Sequence, residues 1–199
     1  MNELIYKCMR CGICCFEVPE NSGAKRIPLY PEEVTKLIKE ATKRDLNFRV
    51  MEDLVFPDLL NHKILVLTYR IILDNEDQCC PFYEKDIGCT VHEIKPLACR
   101  AYPLSLQRID AFKSEISIDP LCTFVINHYK ELENIDLEKL KEIFNKEYPK
   151  AERFFRKNKK IQFKIRKLEA ENKIRIPREI NIEDYNTYLK QWEREEIIV

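Results

Sequence analysis

Apolar positions along the chain switch between two periods. From Pro31, the stretch PEEVTKLIKEATK places Val34, Leu37, Ile38 and Ala41 on one face at helical spacing, with proline at the first helical position and two acids in the first turn. A helix is predicted there. Lys63 to Leu73, KILVLTYRIIL, is rich in β-branched and aromatic residues, and Leu104-Ser105-Leu106 and Ile116-Ser117-Ile118 alternate with period two, so these read as short antiparallel strands. Helical spacing returns after Pro120. A helix carrying Cys122 is predicted from Pro120 through Glu131. Asp136 caps another to Tyr148, with Leu137, Leu140, Ile143 and Phe144 inward. Beyond Pro149, Ala151, Phe154, Phe155, Ile165 and Leu168 mark a third helix, and Tyr185, Tyr188, Leu189 and Trp192 a last one.

The nine cysteines impose a second organisation. They fall between Cys8 and Cys15, between Cys79 and Cys99, and at Cys122, and none follows. The predicted fold is therefore α+β: a small cysteine-rich metal-binding domain with short antiparallel strands (residues 1–133), followed by a helical C-terminal extension (134–199) packed on or beside it. At 199 residues the chain can build a core without relying on metal alone.

Composition narrows the setting. Thirty-four basic and 34 acidic side chains cancel, so any attraction to nucleic acid or membrane must be local. The N-terminal MNELIYKCMRC has no secretory apolar run, and no stretch approaches the length of apolar sequence that a membrane span requires. A cytoplasmic location is expected. In a reducing compartment an odd number of cysteines, with adjacent pairs at Cys14-Cys15 and Cys79-Cys80, suits metal ligation better than disulfides.

Cys8-Met-Arg-Cys11-Gly-Ile-Cys14-Cys15 sets three thiols at two-residue spacing, and Gly12 can supply the positive φ that such a turn needs. This spacing serves an iron–sulfur cluster and zinc equally. Adjacent cysteines usually point apart. If Cys8, Cys11 and Cys14 converge on one metal, Cys15 is free to join cysteines from elsewhere in the chain at another.

The combination of C-x-x-C-x-x-C-C, Cys80-Pro-Phe, Gly88-Cys89, and Pro96 ahead of Cys99-Arg100 with Pro103 nearby resembles the YkgJ-type CxxCxxCC cysteine-cluster family over residues 8 to 122. The resemblance implies zinc or iron chelation, with Cys8, Cys11, Cys14, Cys15, Cys80, Cys89, Cys99 and Cys122 as the family's cysteines and Cys79 left over as a structural thiol. His92 and Lys95 stand where relatives carry tyrosine and arginine, and His92 is read as a packing residue. Eight thiolates in a small volume call for counter-charge, so Lys7, Arg10 and above all Arg100 are expected beside them. The expected cofactor is zinc or an iron–sulfur cluster, held at two metal positions or as one polynuclear centre.

Flagellin lysine-N-methylases are relatives of the cysteine-cluster type, which makes methyl transfer the enzymatic alternative by resemblance. The residues themselves give no nucleotide loop: Gly12, Gly23 and Gly88 are the only glycines, and neither G-x-G-x-x-G nor a Walker-type loop occurs. From Lys150 to Arg178 the chain is basic with Phe154, Phe155 and Phe163 interleaved. Such a segment can serve a nucleic-acid or protein partner, but the favoured expectation is a solvated helix face with its aromatics turned inward. Metal ions are the expected partners.

Overall fold

A computed structural model describes residues 4–16, 27–73, 79–110 and 113–199. It is α+β, with short antiparallel strands and a helical C-terminal region. In chain order the elements begin with β1 (Pro28–Leu29), α1 (Pro31–Lys43), β2 (Val50–Asp58) and β3 (Lys63–Ile71), then β4 (Tyr83–Glu84), β5 (Gly88–Cys89) and α2 (Leu97–Ala101). Next come β6 (Leu104–Arg108), β7 (Ser114–Ile118), α3 (Thr123–Asn127), α4 (Tyr129–Leu132) and α5 (Leu137–Ile143). The long α6 (Tyr148–Ala170), α7 (Ile182–Gln191) and β8 (Glu193–Glu196) close the chain. Two compact units are interleaved: Met1–Ile27 with Leu73–Phe155, and Pro28–Ile72 with Arg156–Val199. The boundary expected at residue 133 does not coincide with this division. Local residue patterns encode helices and strands, but not that the chain leaves one unit and returns to it.

In the cysteine unit, β4 pairs antiparallel with β5 and β6 with β7. The core gathers Tyr6, Leu104, Cys122, Phe124, Leu140, Ile143 and Phe144. The Tyr6 ring lies 5.0 Å from Phe124 and 5.1 Å from Phe144, and its backbone N–H donates to the Ile143 carbonyl at 2.8 Å. That anchor sets the start of the first cysteine loop two residues before Cys8. Asp136 caps α5 by accepting from Lys139 N–H at 2.8 Å, as its position predicts. The helix ends at Ile143 rather than Tyr148, and Leu137 is exposed while Leu140, Ile143 and Phe144 are buried. The helix expected from Pro120 instead starts after Cys122, which is its N-cap, and breaks at His128.

In the second unit, β3 is the central strand, with β2 antiparallel along one edge and β1 and β8 sharing the other. Ile64 to Thr68 are buried without alternation, because the strand is covered on both faces. Helix α1 buries Val34, Leu37 and Ala41 and leaves Ile38 exposed; the Glu33 carboxylate accepts from Tyr30 N–H at 3.0 Å and fixes its first turn. β8 has four exposed charged residues and no strand signal. It is held in parallel register by Lys63–Glu195 at 2.6 Å, Arg194–Glu52 at 2.7 Å and Tyr69 donating to Glu196 at 2.8 Å.

Candidate metal centre

The first cysteine loop is built on positive φ. Arg10 (φ 53°) and Gly12 (φ 81°) turn the chain twice, and Cys15 N–H donates to the Gly12 carbonyl at 2.6 Å to close the 3₁₀ turn Ile13–Cys15. The loop is zipped to the second cysteine stretch. Phe16 and Cys79 form an antiparallel bridge, and Cys80 N–H donates to the Cys15 carbonyl at 2.8 Å. The Phe16 and Tyr83 rings meet edge to face at 4.9 Å and fill the space that a side chain on Gly12 would need. Gly88 (φ 81°) faces the Arg10 backbone so closely that a Cβ would stand 2.6 Å from the Arg10 carbonyl oxygen. Both glycines are therefore required where the two cysteine stretches meet.

This zipper brings Cys14, Cys15 and Cys80 together. The Cys14 and Cys15 sulfurs are 3.9 Å apart, so these adjacent side chains converge, against expectation, because the tight turn removes the alternation of extended backbone. Sulfur hydrogen bonds to Cys14 and Cys80 hold the Cys15 thiol far above its usual range, with burial adding to them. Cys80 moves the other way: the bond from Cys15, helped by the Phe82 N–H, lowers it against burial. Burial pushes Cys99 well up, and Cys14, Cys80 and Cys89 add repulsion. Burial likewise raises Cys89, with Cys80 and Cys14 contributing repulsion.

Cys122 lies near enough to Cys11 for their charges to repel. Cys8 and Cys11 are exposed, whereas Cys122 is buried. Burial raises the Cys122 thiol, N–H groups of Val125 and Phe124 and the Tyr6 hydroxyl partly offset it, and Cys11 adds repulsion. Thr123 Oγ1 donates to the Cys11 sulfur at 3.1 Å. The Tyr6 hydroxyl is driven up by burial and then by Cys122, Cys8, Glu147 and Cys14, so it senses Cys122 and two cysteines of the first loop together. The sulfur interactions among the described residues join Cys15 with Cys14 and Cys80, and Cys11 with Cys122. Among the described residues, no three Cys, His, Asp or Glu side chains are already gathered around one point as an ion would require.

A family model matches residues 7–123: CxxCxxCC, putative zinc- or iron-chelating domain. The match spans more than half of the chain. The chain belongs to the CxxCxxCC family. No curated protein and no solved structure matches it. Among the described residues, no helix is long and apolar enough to cross a membrane.

Within this CxxCxxCC domain the cation acting on Cys89 and Cys99 is Lys95. Arg100, picked by adjacency to Cys99, directs Nε to the Lys95 carbonyl at 2.7 Å and Nη2 to the Glu93 carbonyl at 3.3 Å. It braces the turn that presents Lys95. Lys7 and Arg10 are exposed on the first loop. His92 is partly buried, with Nε2 3.4 Å from Lys95 Nζ, and burial, Lys95 and Arg10 depress its pKa despite Glu93. Cys79 contributes its backbone to the bridge with Phe16. Tyr6 and Lys95 are the residues that sequence reasoning missed. The spacing of Tyr6 two residues before Cys8 held no signal for its contact with Cys122, which is distant in sequence.

Proposed function

We propose that this CxxCxxCC domain holds zinc or single iron ions at two unlike positions. Cys14, Cys15 and Cys80, with Cys89 or Cys99, supply a closed tetrahedral thiolate site. Cys8, Cys11 and Cys122 supply three donors and leave the fourth position open. The observation that carries this reading is the 3.9 Å separation of the Cys14 and Cys15 sulfurs. Two thiolates on one tetrahedral ion with 2.3 Å bonds lie about 3.8 Å apart. In a cubane cluster each thiolate takes a different iron, which spreads the ligands further. Neighbouring sulfurs in contact therefore favour a mononuclear ion.

Loading requires Cys89 or Cys99 to draw in towards the Cys14, Cys15 and Cys80 sulfurs. The Cys80 thiol, already lowered, is the first to offer a thiolate. The exposed Cys8 and Cys11 give the open position access to solvent, as exchange of an ion requires. A bound ion would neutralise the clustered thiolates and add its binding energy to folding.

The test is metal content and visible absorption of anaerobically purified protein, with Cys15→Ser and Cys122→Ser compared. The expected protein lacks acid-labile sulfide; Cys15→Ser loses a tightly held ion, and Cys122→Ser loses only a chelator-accessible one. A brown protein with acid-labile sulfide, or two substitutions that empty the same ions, would overturn the reading.

A further inference from the structure

The outward face of α6 is unlike the rest of the surface. Ile161 and Ile165 are buried on one side of the helix, and Phe163, on the opposite side, is 76% exposed. The expectation that the aromatics of this segment turn inward fails at this residue. At 3.6 residues per turn, the side chains within about 60° of Phe163 between positions 156 and 167 are Arg156, Lys159, Lys160, Arg166 and Lys167. All of them are exposed, and none is acidic. Lys167 reaches Glu171 only at 3.8 Å. A single exposed apolar residue needs no explanation. An exposed aromatic ring whose neighbours one turn away along its helix face are all cations, in a chain whose charges cancel, points to a ligand that is both anionic and flat.

We propose that this face binds single-stranded nucleic acid, with Phe163 stacking on a base and the surrounding ammonium and guanidinium groups holding phosphates on either side. The stripe is about 16 Å long, room for a few nucleotides. Stacking on one aromatic combined with a cationic track is the sequence-tolerant mode of single-strand recognition. An anionic bilayer fits less well. A helix lying in a membrane interface needs a broad apolar face, and the apolar face of α6 is already buried in the protein. The inference is independent of which metal the cysteines hold.

The test uses the full chain and fluorescein-labelled mixed-sequence 12-mers of RNA and of DNA, read by anisotropy from about 50 to 200 mM salt. Binding with a negative log–log salt slope is expected. Phe163→Ala should weaken it roughly 5- to 100-fold with the slope kept, and Phe163→Trp should retain it. Lys160→Gln with Arg166→Gln should flatten the slope. Circular dichroism and metal content should be unchanged in all three, since the substituted side chains are outside the core. The proposal is overturned if neither oligonucleotide binds at the lowest salt, or if Phe163→Ala binds as tightly as the wild type. Binding to phosphatidylserine vesicles with none to oligonucleotides would overturn it as well.

Discussion

Gly88 lies against Arg10 with no room for a side chain between them: a Cβ would meet both the carbonyl oxygen and the Cβ of Arg10 at 2.6 Å. Gly88 also has φ 81°, so two independent constraints demand glycine there. Gly88→Ala should cost about 2–4 kcal/mol from left-handed strain and overpacking together. Denaturant unfolding of the metal-loaded protein measures it. A change below about 0.5 kcal/mol would mean that the two cysteine stretches do not meet as described.

Lys95 offers a contrast with Arg100. Lys95→Met removes the cation that favours the thiolates of Cys89 and Cys99, so protons compete better with metal. Zinc affinity by competition with a chromophoric chelator should fall on the order of tenfold. The fall should be larger at acidic than at alkaline pH, because the thiols then bind protons more readily. Arg100→Met should instead act through the 93–95 turn and show much less pH dependence.

Asp58, almost fully buried at the end of β2, is an acid-sensitive point of the second unit. Burial raises its pKa, but N–H groups of Arg175 at 2.8 Å and Leu60 at 3.0 Å, with the Asn61 side chain at 2.5 Å, outweigh burial and lower it. A carboxylate with a depressed folded-state pKa stabilises above its unfolded value of 3.8 and loses that contribution as pH falls through the lower folded value. Asp58→Asn should cost about 1.5–3 kcal/mol at neutral pH, and its cost should shrink below pH 3.8. Thermal melts across that window report the result.

Much of this architecture was legible in the residues, and the exceptions have physical causes. The period-3.6 face of Val34, Leu37 and Ala41 and the apolar run of β3 declare themselves, since burial on one stripe or on both faces leaves a direct imprint on composition. β8 was not legible. Its residues are Glu-Arg-Glu-Glu, and its pairing comes from partners far away in sequence, Glu52, Lys63 and Tyr69. The cysteine motif identified the family, whereas the approach of Cys14 to Cys15 and of Cys122 to Cys11 and Tyr6 depends on a 3₁₀ turn and on the Tyr6 anchor. Spacing cannot encode either. Arg100 shows the same limit: adjacency to Cys99 suggested charge compensation, but the local turn aims its guanidinium at carbonyls.

The central claim, that Cys14 with its converging neighbours binds metal while Cys79 stays outside, is tested most directly by metal stoichiometry. The measurement is metal per chain after anaerobic purification of wild type, Cys14→Ser and Cys79→Ser. The account predicts zinc or iron bound in the wild type, the same content in Cys79→Ser, and loss of the tightly held ion with a less stable fold in Cys14→Ser. A wild type without metal, or a Cys79→Ser protein that empties a site while Cys14→Ser keeps it, would contradict it.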